Sequence, residues 1–95
     1  MNIGDEVYWT DENGIKRICE ILHIDKQTTK YTILLPERNV MLESINGFES
    51  NSFVKGDTVI YSKRNKSYTA LITKINYNSN SAQIRIVVDN LVLAY

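Results

Sequence analysis

Three cations and two rings crowd one short stretch of the chain: Tyr61, Lys63, Arg64, Lys66 and Tyr68, with Asn65 at the centre. Basic residues interleaved with aromatics suit single-stranded nucleic acid, through phosphate attraction and base stacking. They equally suit an acidic protein surface. The plainest alternative is a charged hairpin tip that stays solvated. A second set stands early in the chain, where Asp11-Glu12 occupies the matching loop, with Tyr8 before it and Arg17 after it. The two loops carry opposite signs, so they do not select the same ligand.

Other reactive residues are isolated. His23 is the only histidine and Cys19 the only cysteine, which excludes a Cys/His zinc site within the chain. A catalytic base needs a nucleophile within reach, and no spacing around His23 supplies one. Cys19 reads as a small buried side chain. The four glycines are scattered, so no phosphate-cradling loop is present. These observations argue against an enzyme and against a bound metal or cofactor.

The formal net charge is zero, but the halves differ. Residues 1–48 hold five basic and eight acidic residues, and residues 49–95 hold six and three. Such asymmetry fits two different partner surfaces, or attraction between the halves within a chain or in a homodimer. One cysteine permits no internal disulfide, and the N-terminal residues lack a basic region followed by an apolar run. An intracellular protein, in cytoplasm or nucleus, is expected, not a secreted one. No apolar stretch approaches the ~20 residues that cross a bilayer, so no membrane partner is expected. Twelve isoleucines and ten asparagines suit an AT-rich genome, such as that of a low-GC bacterium or its phages.

The residues above must be positioned by something, and the chain repeats itself. Gly4-Asp5-Glu6-Val7-Tyr8-Trp9 is matched by Gly56-Asp57-Thr58-Val59-Ile60-Tyr61 at an offset of 52. Past the first loop the offset becomes 51, aligning Cys19 with Ala70, Ile21 with Ile72, Ile33 with Ile84, and Val40 with Leu91. A fixed-period repeat reports duplicated architecture. Within each copy apolar residues alternate with polar ones, the period of a strand rather than a helix. Turn formers stand between the runs, with Asn13-Gly14 a strong hairpin signal. Four strands per copy are predicted, near 6–10, 15–25, 30–36 and 39–43, then 57–62, 67–77, 82–88 and 91–94. The long second strand should bend midway to let the sheet curl. Trp9 and Tyr61 share parity with Val7 and Val59 and should face inward. Tyr8, Tyr31 and Tyr77 fall on the outward parity of their strands or at strand ends and should be exposed. The expected domains are 1–46 and 55–95, with a linker at 47–54 anchored by Phe48 and Phe53.

Gly-Asp-x-Val opening a strand, followed by Tyr68-Thr69-Ala70-Leu71-Ile72 in the second copy and Cys19-Glu20-Ile21 in the first, resembles the Tudor/agenet group of SH3-like barrels. Tyr31 to Val40 is similar to the strand–turn–strand that closes such barrels. The resemblance covers nearly the whole chain, twice. It implies an all-β fold of two tandem small SH3-like (Tudor-like) barrels packed together. It also implies capture of methylated side chains in an aromatic cage, through cation–π attraction. The cage positions fall near Asp11 and Lys63, at Arg17 and Tyr68, and within Glu37-Arg38-Asn39 and Val88-Asp89-Asn90. Only Tyr68 among them is a ring, which argues against a complete cage.

The expectation is therefore a non-enzymatic binding module. It would recognise a peptide tail or partner protein through loop tips and the groove between barrels, using Tyr8, Asp11, Arg17, Lys63, Arg64, Lys66 and Tyr68. Two alternatives share the fold: a nucleic-acid binder working through the second copy, and a small phage or mobile-element inhibitor that blocks a host enzyme.

Overall fold

The computed structural model describes residues 2–49 and 52–92. Seven strands occur: β1 (Glu6–Thr10), β2 (Lys16–Asp25), β3 (Lys30–Leu34), β4 (Arg38–Met41), β5 (Thr58–Lys63), β6 (Lys66–Asn76) and β7 (Ser81–Val92). A 3-10 turn at Leu42–Ser44 follows β4, and the described residues hold no other helix. The protein is all-β, and every ladder is antiparallel. The pairings run β1-β2-β3-β7-β6-β5, with β4 added to β7. This path ends at β1 and β5 and does not close on itself.

Two compact units result. One comprises the residues up to Pro36 together with those from Val87 onward, and the other is Glu37–Ile86. They differ from the contiguous domains 1–46 and 55–95 expected above. The reason lies in β7. Its first part pairs with β6 and β4, whereas Val87, Val88, Leu91 and Val92 pair with β3. Each unit thus takes one strand from the other half of the chain. The expected turn at Asp89-Asn90 is instead a bulge inside β7, where Asn90 adopts φ 56° and the register to β3 shifts. Asparagine tolerates that conformation, so the strand continues through it. The expected strand 91–94 is in part the end of β7; Leu93 and Ala94 lie outside the described residues, as do Ser50 and Asn51 of the linker.

The first unit is built on Cys19, Ile21 and Ile33, all but fully buried, with Val7, Trp9, Ile24, Tyr31, Leu35, Val88 and Leu91 packed against them. Tyr31 therefore lies against the core rather than facing outward: it sits two residues before Ile33 in β3 and shares its face. In the second unit Val40, Leu42, Ile45, Val59, Tyr61, Ala70, Ile72, Ala82, Ile84 and Ile86 are buried.

Aligned positions are built alike. Both Gly-Asp pairs sit in tight turns: Asp5 N–H donates to the Asn2 carbonyl and Asp57 N–H to the Val54 carbonyl, each at 3.1 Å. Gly4 and Gly56 hold φ of 92° and 97°, which a side chain would strain. The aspartate then caps its own turn, accepting from the amide of Asn2 or Val54 at 2.9 Å. The long strands bend at equivalent bulges, Ile21/His23 in β2 and Ile72/Lys74 in β6. Asp25 and Asn76 cap the following turns by accepting amides two and three residues on.

Candidate functional site

The β5–β6 hairpin carries the basic cluster. Lys63 and Lys66 are direct cross-strand partners, so only Arg64 and Asn65 form the turn. Both turn residues have positive φ, 51° and 64°, the geometry of the two-residue hairpin whose twist matches its strands. A tight turn of this kind holds Lys63, Arg64 and Lys66 close together, and all three are exposed. Like charges directly opposite in a ladder destabilise it. Among the described residues Lys63 and Arg64 have no ion-pair partner.

Tyr68 does not stand free beside this tip. It faces Tyr61 across the ladder, and the rings stack with centroids 6.1 Å apart and planes 28° apart. Tyr61 is buried and Tyr68 half-buried. Next along, Ser62 donates through Oγ to Asn46 Oδ1 at 3.0 Å, and Asn46 N–H donates to the Ile60 carbonyl. β5 is thereby fastened, just behind the tip, to the segment that follows the 3-10 turn.

The acidic tip of the first unit is spent on its own loop. Asp11 accepts the amides of Asn13 and Ile15 on Oδ1, and its Oδ2 takes the Arg17 guanidinium Nε–H at 2.8 Å. That guanidinium, and then the Ile15 amide, hold the Asp11 carboxyl below its ordinary pKa. The structure thus brings two expected ligand-binding residues, Asp11 and Arg17, onto each other. Tyr8 lies apart from them on β1, 69% exposed, with the Lys16 ammonium 5.2 Å from its ring centroid. Tyr77 is also exposed, yet its hydroxyl accepts the Phe53 amide at 2.8 Å and donates to the Phe53 carbonyl at 2.7 Å. This clamp holds the Phe53 end of the linker.

A feature that the sequence reading missed lies at the other end of β6. An open hollow of about 240 Å³ is lined by Asn39, Lys74, Asn76, Ser79, Ser81, Ala82 and Gln83. Asn39, Gln83 and Lys74 form one cross-strand row over β4, β7 and β6. The Ser79 and Ser81 hydroxyls hydrogen bond at 2.7 Å. Amides, hydroxyls and one ammonium equip this surface for hydrogen bonding, with no base set against a nucleophile. Outward parity of Asn39 and Gln83 was legible in the sequence, but Lys74 shares parity with Ala70 and Ile72 and is turned outward only by the bulge in β6, and the row forms only where β4 and β6 both join β7. Among the described residues no group of three His, Cys, Asp or Glu side chains is placed to hold a metal ion, and no helix is long and apolar enough to cross a membrane. Compared with protein-family models, curated proteins and solved structures, the chain matches none.

Proposed function

We propose that the protein is a non-enzymatic binding module that takes an acidic segment of a partner protein on the Lys63–Lys66 tip. One observation carries this reading: Lys63 and Lys66 oppose each other across a two-residue turn that also holds Arg64. An isolated hairpin loses stability from that arrangement. An incoming carboxylate-rich segment converts the repulsion into attraction and speeds encounter. The half-buried, stacked Tyr68 speaks against the nucleic-acid alternative, because base stacking needs an exposed ring face. Its pairing with a single buried neighbour likewise lends no support to a methyl-reading cage.

We read the scaffold of the second unit as SH3-like. Its bulged long strand, its 3-10 turn after β4, and the bridge from Ile45 back to Tyr61 on β5 support that reading. The test is titration with a synthetic Glu-rich dodecapeptide and, separately, with an oligothymidine of equal charge. The peptide is expected to bind with an affinity that falls as salt rises, and the combined variant Lys63→Glu, Arg64→Glu, Lys66→Glu should lose it while keeping a dispersed amide spectrum. Equal peptide binding by that variant, or tighter binding of the oligothymidine, overturns the reading.

A further inference from the structure

The two units treat equivalent strand edges differently. In an antiparallel ladder, residues alternate between pairs that exchange hydrogen bonds and pairs that point their N–H and C=O groups outward. On β5 the pairs bonded to β6 include Asp57, whose carbonyl accepts from Ile72 at 2.9 Å, so Ile60 points outward. That outer edge is occupied. Asn46 N–H donates to the Ile60 carbonyl at 2.9 Å, and Ile45 forms an antiparallel bridge with Tyr61. Ile45 is 1% exposed, and Tyr61 opposite it is buried.

On β1 the same alternation holds. Ile21 N–H donates to the Asp5 carbonyl and Asp11 N–H to the Ile15 carbonyl, so the odd-numbered residues bond to β2. Glu6, Tyr8 and Thr10 therefore turn their backbone groups away from β2. Tyr8 is the position equivalent to Ile60, and Trp9 the equivalent of Tyr61. Yet β1 ends the sheet path, and no described residue pairs with its outer edge. Trp9 is only half-buried where Tyr61 is buried. An exposed edge with free backbone groups is a template for another strand.

We propose that the outer edge of β1 is a strand-addition site for an extended segment of a partner protein. The segment runs antiparallel to β1, with a branched aliphatic residue opposite Trp9 and a lysine or arginine three residues later, opposite Glu6. The aliphatic requirement comes from the occupied edge, where Ile45 fills that position against Tyr61. The basic requirement comes from charge. Glu6 is exposed, has no ion-pair partner among the described residues, and faces Glu20 across the ladder. Backbone bonding supplies affinity and alternate side chains supply selectivity, as in other strand-addition complexes. This site is separate from the Lys63–Lys66 tip and wants the opposite charge, so either reading stands if the other fails.

The probe is a nonapeptide with the sequence of residues 40–48 carrying Phe48→Lys, which places isoleucine and lysine at the two required positions. Amide exchange is followed by NMR on the whole chain. Binding should slow the outward amides of β1, Tyr8 and Thr10, by about tenfold or more. Methylating the peptide nitrogen at the Asn46 position removes the donor aimed at the Tyr8 carbonyl and should abolish the effect. In the protein, Tyr8→Pro deletes an outward N–H that β2 does not use and should abolish binding, since proline is tolerated on strand edges. Should that variant fold poorly, Glu6→Lys still decides: it should reverse the preference, so that a glutamate-ended peptide binds better than the lysine-ended one. An unchanged preference, protection on β5 instead of β1, or no protection overturns the proposal. Protection of β1 without peptide that grows with protein concentration makes the occupant a second copy of the chain and also overturns it.

Discussion

At the scale of single residues, chemistry and position have to be distinguished. Asp11 and Arg17 have the charges of ligand-binding residues, but each is the other's partner across the turn of the β1–β2 hairpin. The Arg17 guanidinium is the main reason the Asp11 carboxyl sits below its ordinary pKa, with the Ile15 amide next. A carboxyl whose pKa is lowered by folding stabilises the fold above its unfolded pKa and loses that contribution as pH falls through the lowered value. The loop should therefore be intact at neutral pH and loosen only in acid, below the range where free aspartate titrates. Carbon-detected NMR of the Asp11 carboxyl checks this, and a midpoint at or above that of free aspartate would refute it. Asp11→Asn should keep the amide acceptors, remove the ion pair and speed exchange at Ile15 modestly, whereas Asp11→Ala should expose both Asn13 and Ile15 amides. Lys63 and Arg64 differ from this pair, because among the described residues neither has an ion-pair partner.

At the scale of elements, most of the reading was legible because it rests on local rules. Strand periodicity, the Gly-Asp turns and the bend in each long strand follow from side-chain alternation and from conformations that few residues tolerate. Asp89-Asn90 shows the limit. A bulge moves every later side chain to the other face, and periodicity does not reveal where one falls. One element carries visible strain. Thr29 ends the β2–β3 turn at φ 55°, where its aligned partner is Asn80 at φ 53°. A β-branched residue is a true outlier there, whereas asparagine is accommodated. Thr29→Asn should stabilise the protein by about 1 kcal/mol and Asn80→Thr should destabilise it by a similar amount. Denaturant midpoints at constant m-value measure both, and a fall in midpoint for Thr29→Asn would contradict the strain argument.

At the scale of the whole molecule, the decisive fact is which strand completes which unit. β4, from the first half of the chain, pairs with the first part of β7, and the last part of β7 pairs with β3. Residues 1–46 alone lack Val88 and Leu91 against Cys19, Ile21 and Ile33. Residues 47–95 alone lack Val40, Leu42 and Ile45, all buried. Pieces this small are near the lower limit for an independent core even when complete. Each fragment should therefore show the narrow amide spectrum of an unfolded chain, and mixing the two should restore dispersion. A folded 1–46 fragment would show that β7 is dispensable to the first unit. The same exchange explains why the polar row Asn39, Gln83 and Lys74 escaped notice, since those residues come from both halves.

By itself the sequence determined the all-β class, the inward positions Cys19, Ile21, Ile33, Ala70, Ile72 and Ile84, the paired Gly-Asp turns and the basic tip. All follow from interactions within a few residues along the chain or from simple alternation. Only the tertiary structure decided that β7 runs unbroken through both units, that Asp11 takes Arg17, that Tyr68 stacks on Tyr61, and that β5 has an occupied edge while the described residues leave β1 open. The first and last of those outcomes depend on pairing between distant strands, and the two side-chain contacts on geometry across a hairpin. Two aligned copies present interchangeable strand partners to each other, and local pattern cannot choose between them.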